Sequence, residues 1–311
     1  MASGLRIVFF GTPEFASFVL RDLAQRGENI VAAVTTPDNP QGRGKKMHTS
    51  AVKDAASELG ISVLTPVKHL DPTFLRELQE FNADVFVVVA YKILPKEVFS
   101  IPRFGAFNIH ASLLPKYRGA APINWAIIRG EKETGITTFL LDEKVDTGKM
   151  LLAKTIPIGT DETAGELHDR LMALGAEAAF ETLRGLSAGS LHPTPQPKEG
   201  ATPAPKLFPK DCEIDFLKSA VDVHNFIRGL SPHPGAVVFS HGVRLKILRT
   251  TLPNDAPIQL QPGTFGISND AKRLFAGTVD DAIEIFEVQR EGKRVMKAEE
   301  FLRGNRILFS I

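Results

Sequence analysis

Residues 105–122, GAFNIHASLLPKYRGAAP, bring together side chains able to do chemistry. Asn108 and His110 lie two apart in a run otherwise suited to burial. On a strand they leave the same face, while Ile109 points into the opposite core. An amide beside an imidazole pairs a hydrogen-bond donor with a group that exchanges protons near neutral pH. A carboxylate arriving from another strand end, Asp146, completes a set of donor, base and orienting group. The plainer alternative is that backbone groups satisfy both polar side chains at a strand end. Position favours chemistry, because ligands of open parallel sheets bind outside the carboxyl ends of the strands. The pair sits at such an end, followed by Ser112-Leu113-Leu114-Pro115 and an Arg118-Gly119 turn that leaves the sheet.

Competing motifs fail on chemical grounds. The turn Gly11-Thr12-Pro13-Glu14-Phe15 lacks the second and third glycines that let backbone approach a pyrophosphate. No Gly-Lys pair is followed by Ser or Thr, so there is no P-loop. Gly185-Leu186-Ser187-Ala188-Gly189 follows a helix rather than the strand a nucleophile elbow requires. Asp146-Thr147-Gly148 occurs once, whereas aspartic-protease chemistry needs two carboxylates. The eight histidines show no metal-ligand spacing, and no metal is expected.

The elements that must hold these residues alternate strand and helix. Residues 5–10 read as a first strand, with Thr12 as N-cap and Pro13 at the first position of a helix reaching Arg26. Strands follow at 30–34, 61–64, 85–89, 106–110 and 136–141, with helices at 49–59, 71–81, 123–129 and 164–184. The β-branched run at 85–89 suits a strand buried on both faces. This alternation predicts an α/β, Rossmann-like, mostly parallel sheet. Residues 189–209 hold six of the chain's 21 prolines and read as a semi-extended linker. Beyond it, a helix at 219–230 and short strands separated by turns predict an OB-like β-barrel. The expected organisation is a catalytic domain at 1–188, a linker at 189–209 and a barrel at 210–311.

Composition narrows the class further. Of 311 residues 43% are apolar and 23% charged, which excludes a disordered, collagen-like or coiled-coil chain. One cysteine, Cys212, rules out an internal disulfide. No apolar run is long enough for a membrane helix and no signal peptide is evident, so a cytoplasmic protein without a membrane partner is expected. The net charge of +1 announces no nucleic-acid partner, but its distribution says more. Residues 41–53 carry Arg43, Lys45, Lys46 and Lys53 without an acid, and the stretch is glycine-punctuated, as a loop following a phosphate backbone would be. A second basic cluster lies at 290–297.

Taken together, Asn108–His110 with Ser112–Pro115 and Arg118–Pro122, and Asp146-Thr147-Gly148 downstream, resemble the folate-dependent formyltransferase superfamily. Gly11–Phe15, Pro37-Asp38, Gly42–Lys46, Lys198–Thr202, Ala204-Pro205-Lys206, Arg228–Pro232 and Phe301–Gly304 extend the likeness nearly end to end, toward the family acting on initiator methionyl-tRNA. After Tyr91 the chain runs directly into Lys92-Ile93-Leu94, one residue shorter than that family's usual loop, and His233 and Pro203 replace a usual tryptophan and tyrosine.

The resemblance implies transfer of a formyl group from 10-formyltetrahydrofolate to the α-amino group of methionyl initiator tRNA. It assigns Asn108 and His110 to the reacting oxygen, Asp146 to orienting the imidazole, and Ser112, Leu113, Leu114 and Pro115 to the folate. Arg43, Lys45 and Lys46, with Arg244, Lys246, Arg249, Lys293 and Arg294 on the barrel, become candidate tRNA contacts, and a monomer is expected. Rival readings are formyl transfer to a small amine (an amino-sugar nucleotide or a ribonucleotide), hydrolysis of the formyl-folate, and non-catalytic RNA binding.

Overall fold

Alternating apolar runs and amphipathic stretches give, in chain order, β1 (Arg6–Gly11), α1 (Glu14–Gln25), β2 (Asn29–Val34), β3 (Asn39–Gln41), β4 (Lys46–His48), α2 (Ala51–Glu58), β5 (Ser62–Leu64), α3 (Pro72–Glu80), β6 (Val85–Val89), α4 (Lys96–Phe99), β7 (Ala106–His110), β8 (Arg118–Gly119), α5 (Pro122–Ile128), β9 (Glu133–Leu140), β10 (Met150–Pro157) and α6 (Ala164–Ser187). There follow β11 (Pro203–Ala204), α7 (Ala220–Leu230), β12 (Ala236–Ser240), β13 (Val243–Thr251), β14 (Phe265–Ile267), β15 (Leu274–Gly277), β16 (Ala282–Arg290), β17 (Val295–Lys297) and α8 (Ala298–Asn305). The structure, a computed structural model, describes residues 1–41, 46–253 and 259–309. It divides into one unit of Met1–Gly119, Gly135–Ile156 and His168–Pro203, and a second of Ala120–Thr134, Pro157–Leu167 and Ala204–Ile311.

The first unit is built on a sheet of strand order β10-β9-β7-β6-β1-β2-β5. β1 runs parallel to β2 and β6, β6 parallel to β7, and β2 parallel to β5. β9 is antiparallel to β7, so the sheet is mostly rather than wholly parallel. β6, VFVVV, is buried throughout, as a strand covered on both faces must be. The carboxyl ends of β1, β6 and β7 therefore share one edge, where the loops at 12–13, 90–95 and 111–117 emerge.

Local signals explain most starts and one difference. Asp71 accepts from the backbone N–H groups of Thr73 and Phe74, with Pro72 at the first helical position of α3. Ser50 caps α2 by accepting from Lys53 N–H. The cap of α1 is Pro13 instead of Thr12, with no side-chain capping bond, and α1 begins at Glu14. The Pro13 carbonyl takes the first helical bond, from Ser17 N–H, and no side chain supplies the hydroxyl cap expected of Thr12.

In the second unit the antiparallel sheet has the order β12-β13-β16-β15-β14, with β17 added on β16. It curls into a half barrel, the OB-like element expected of this region. Ile227 and Leu230 of α7, Leu245, Ile247, Ile283 and Ile285 of the sheet, and Phe301 of α8 fill its core. The pairing of β13 with β16 slips between Ile247 and Thr250. That bulge restores Arg249 to the half-exposed row begun by Arg244 and Lys246, while Leu245 and Ile247 stay buried. Among the described residues no helix is long and apolar enough to cross a membrane.

Candidate active site

The catalytic candidates lie at the carboxyl end of β7. Asn108 pairs in register with Val88 of β6 and Phe139 of β9, and His110 with Thr137 of β9. Ile109 faces the other way, where Gly175 of α6 permits close approach: a Cβ there would meet the Phe15 ring at 3.0 Å and Ile109 Cγ2 at 3.5 Å. The alternation expected of the strand is thus realised, with polar groups on one face and packing on the other.

His110 is 6% exposed, and its ring packs edge-on against Phe139. Its Nε2 lies 2.9 Å from the carbonyl oxygen of Tyr117. A carbonyl only accepts, so Nε2 carries the proton, and in the neutral ring the lone pair resides on Nδ1. Asp146 Oδ2 is 4.0 Å from that Nδ1, an electrostatic neighbour beyond hydrogen-bond length. Burial pushes the imidazole below its ordinary 6.5; Asp146 and the bond to Tyr117 draw it back upward, and Arg118 pushes it down. Net, the ring is held neutral and able to accept a proton at Nδ1.

The backbone carries unusual conformations around this group. Tyr117 (φ +59°), Asp146 (φ +55°) and Ala90 on the loop after β6 (φ +44°) occupy the left-handed region without being glycine. Each costs about 1–3 kcal/mol unless its surroundings hold it, and such residues gather at functional sites. The holding bonds are visible. Asp146 Oδ2 accepts from Gly119 N–H at 2.8 Å. Tyr117 N–H donates to Thr202 Oγ1, and Arg118 N–H to the Thr202 carbonyl, both at 2.9 Å. Gln196 Nε2 donates to the carbonyls of Asp146 and Gly148, each at 2.9 Å, while its Oε1 accepts from the Arg118 guanidinium. Gln196 and Thr202 of the proline-rich stretch therefore brace the loops around His110.

Asn108 supplies the second polar group. Its Oδ1 is buried with no hydrogen-bond partner. A buried acceptor left unpaired costs about 1–3 kcal/mol, a penalty that an arriving donor removes.

The expected folate segment divides in two. Ser112 is fully buried, its hydroxyl donating to the Lys116 carbonyl, and Leu114 is buried with its N–H on Thr137 Oγ1. Leu113 and Pro115 remain half-exposed and can face a ligand. Of the candidate tRNA contacts, Arg43 and Lys45 lie outside the described residues, and Lys46 stands at the start of β4. Arg244 pairs with Glu291 at 3.9 Å, Arg249 with Glu166, and Arg294 with Glu300. Lys246 Nζ donates to the Pro234 carbonyl at 2.6 Å, and Lys293 is exposed. The structure brings Asn108, His110 and Asp146 to one neighbourhood and gives most of the described basic candidates partners of their own. Among the described residues no group of three or more His, Cys, Asp or Glu gathers as a metal site.

What sequence reasoning missed are the bracing groups: the Tyr117 carbonyl, Gly119 N–H, Gln196 and Thr202. The motif containing Thr202 was visible, but nothing in its letters pointed back to residue 117.

Gly148 also belongs to this scaffold. A Cβ there would lie 1.6 Å from the Leu140 carbonyl oxygen, which a backbone atom in β9 cannot yield cheaply. Gly148→Ala is expected to cost about 3 kcal/mol of stability through overpacking. A urea unfolding midpoint indistinguishable from the parent's would refute it.

The formyl transferase family model matches residues 5–183, and the model of the formyl transferase C-terminal domain matches 206–306. Proteins named methionyl-tRNA formyltransferase from Caldanaerobacter subterraneus subsp. tengcongensis and Geobacter sulfurreducens are 48% and 45% identical to it. The first alignment covers 97% of this chain and 98% of the relative, the second 98% and 95%. Among solved structures, an N-formyltransferase from Helicobacter canadensis in complex with folinic acid and dTDP-3-aminofucose superposes with a TM-score of 0.68, at 19% identity, over 92% of this chain and 99% of that one. HypX from Aquifex aeolicus in complex with tetrahydrofolic acid gives 0.66 at 18% identity, over 96% and 47%. These two show a shared fold.

Proposed function

The chain belongs to the formyl transferase family, and from that membership we propose that it transfers the formyl group of 10-formyltetrahydrofolate to the α-amino group of methionyl initiator tRNA, in support of translation initiation. The shared name of relatives matched along nearly their full length supports the acceptor. The tetrahydrofolic acid bound to HypX supports the donor class. The observation that carries the reading is the juxtaposition of Asn108 and a neutral, buried His110 on one face of β7, with Asp146 4.0 Å from Nδ1.

The residues present fit such a donor. Leu113 and Pro115, with the 75%-exposed Ile93 on the loop after β6, offer apolar surface, and the unpaired Asn108 Oδ1 awaits a polar partner. The folate supplies an activated formyl carbon. An α-amino group titrates near 8, so part of it is already neutral at physiological pH and no strong base is needed. As the amine nitrogen bonds that carbon, the Asn108 amide donates to the oxygen that gains negative charge. His110 Nδ1 takes the proton that the nitrogen must lose and returns it to the departing N10. The imidazolium so formed is favoured by the Asp146 carboxylate, while the Tyr117 carbonyl keeps the ring in place. Arg43, Lys45 and Lys46, with the basic row on β13, would hold the tRNA. This reading takes residues 1–188 as the catalytic domain, 189–209 as the connection and 210–311 as the tRNA-binding domain of a cytoplasmic monomer.

The direct test offers the protein formyl-folate with charged initiator tRNA, elongator methionyl-tRNA or small amines. Formylation of the initiator alone is expected. Equal rates on both tRNAs would contradict the discrimination, and transfer only to small amines would replace the acceptor.

The lowered pKa of His110 has its own consequence. A base with a depressed pKa keeps its lone pair until the pH falls through that lower value, so the ring titration of His110, followed by NMR in the free protein, should lie below 6.5, beneath the decline in kcat that the substrate amine itself sets. Asp146→Asn removes a charge that raises the pKa, and should move that ring titration lower still while reducing kcat. A ring titration that stays in place or moves upward would show that Asp146 does not act on this ring.

A further inference from the structure

The geometry points to Gln196 as a positioning residue for this reaction, one that acts by holding the Asp146 loop and the Arg118 turn against each other around His110. This deepens the formyl-transfer reading and rests on it.

The polar end of the Gln196 side chain is spent entirely within the site's scaffold. Its Nε2 donates to two carbonyls of one loop, Asp146 and Gly148, at 2.9 Å each. Its Oε1 accepts from Arg118 Nη2 at 2.6 Å and Nε at 3.2 Å. Arg118 follows Tyr117, whose carbonyl fixes the His110 ring, and precedes Gly119, whose N–H holds the Asp146 carboxylate. One amide thus ties together the residue on each side of the imidazole. Asp146 needs such a tie, because its backbone sits at φ +55° and its carboxylate stands 4.0 Å from Nδ1 without a direct bond. A shift of about 1 Å in a group positioned near reacting atoms can cost about 10²-fold in rate, so a tether of this kind is felt in turnover. Its hydrogen bonds go to Arg118, Asp146 and Gly148 and to none of the residues assigned to the folate, so binding should be spared.

Two substitutions separate the halves of the tie. Gln196→Ala removes both. Gln196→Glu keeps an acceptor for Arg118 but turns the donor into an oxygen facing two carbonyl oxygens. Both are expected to lower kcat at least about tenfold, with KM for formyl-folate and tRNA within about twofold of the parent's. Parent-like kcat in Gln196→Ala, or in Gln196→Glu alone, would overturn the proposal, the latter because the Arg118 tether would then suffice. A raised KM at unchanged kcat would overturn it as well. Should the parent show no formyl transfer, the family reading fails separately, and hydrogen exchange of the folded proteins still decides the tether. Faster exchange over residues 142–149 and at Gly119 N–H in Gln196→Glu sustains it, and unchanged exchange refutes it.

Discussion

His110→Ala is expected to lower kcat by at least about 100-fold while leaving the protein folded. The imidazole at the carboxyl edge of β7 is held neutral, with its lone pair on the nitrogen facing Asp146. Removing it leaves the amine's proton without an acceptor. It also removes the bond from the imidazole to the Tyr117 carbonyl, so a stability loss of about 1 kcal/mol should accompany the loss of rate. Single-turnover formylation and a urea melt on the same preparation read both. A variant with parent-like turnover would remove His110 from the chemistry, whatever its stability.

Asn108→Ala separates rate from stability in the opposite way. As a donor to the oxygen that becomes negative, the amide should be worth about 10²–10³ in kcat. In the free protein its Oδ1 is buried and unpaired, so truncation relieves a desolvation cost instead of breaking a bond. The expected variant is slow yet as stable as the parent, or more so by up to about 1 kcal/mol. Parent-like kcat would mean that the Asn108 amide has no call on the substrate, and a clear loss of stability that the side chain is held by packing in the free protein.

Much of this site was legible in the letters, for identifiable reasons. The strand period places Asn108 and His110 on one face whatever else the chain does, and a wholly apolar β6 of four valines and Phe86 suits a central strand. Legibility ended where backbone direction mattered. The carbonyl that fixes His110 belongs to Tyr117 at φ +59°, a conformation no tyrosine advertises. β10 escaped notice because Lys154 interrupts it, and only the fold shows this lysine paired with Glu177 and Glu181 at 2.9 and 2.7 Å. The prolines after residue 189 rightly forbade a helix, but an extended chain can still bond sideways. Thr194 bridges Met150, and β11 pairs with β8. The basic stretch near the C-terminus concealed α8, whose Ala298, Phe301 and Leu302 are buried in the second core.

The late position of the bracing segment also governs when the site can exist during synthesis. Thr202 reaches back 85 residues to Tyr117, and Gln196 reaches back 78 and 50 residues to Arg118 and Asp146. On a ribosome adding about 5–20 residues per second, His110 waits on the order of ten seconds for partners that emerge long after its own strand. A nascent chain stalled before residue 194 pairs β7 with its neighbours while the loops around its imidazole still lack the braces of Gln196 and Thr202. Competence for catalysis is therefore withheld until the first unit has been translated almost to its end.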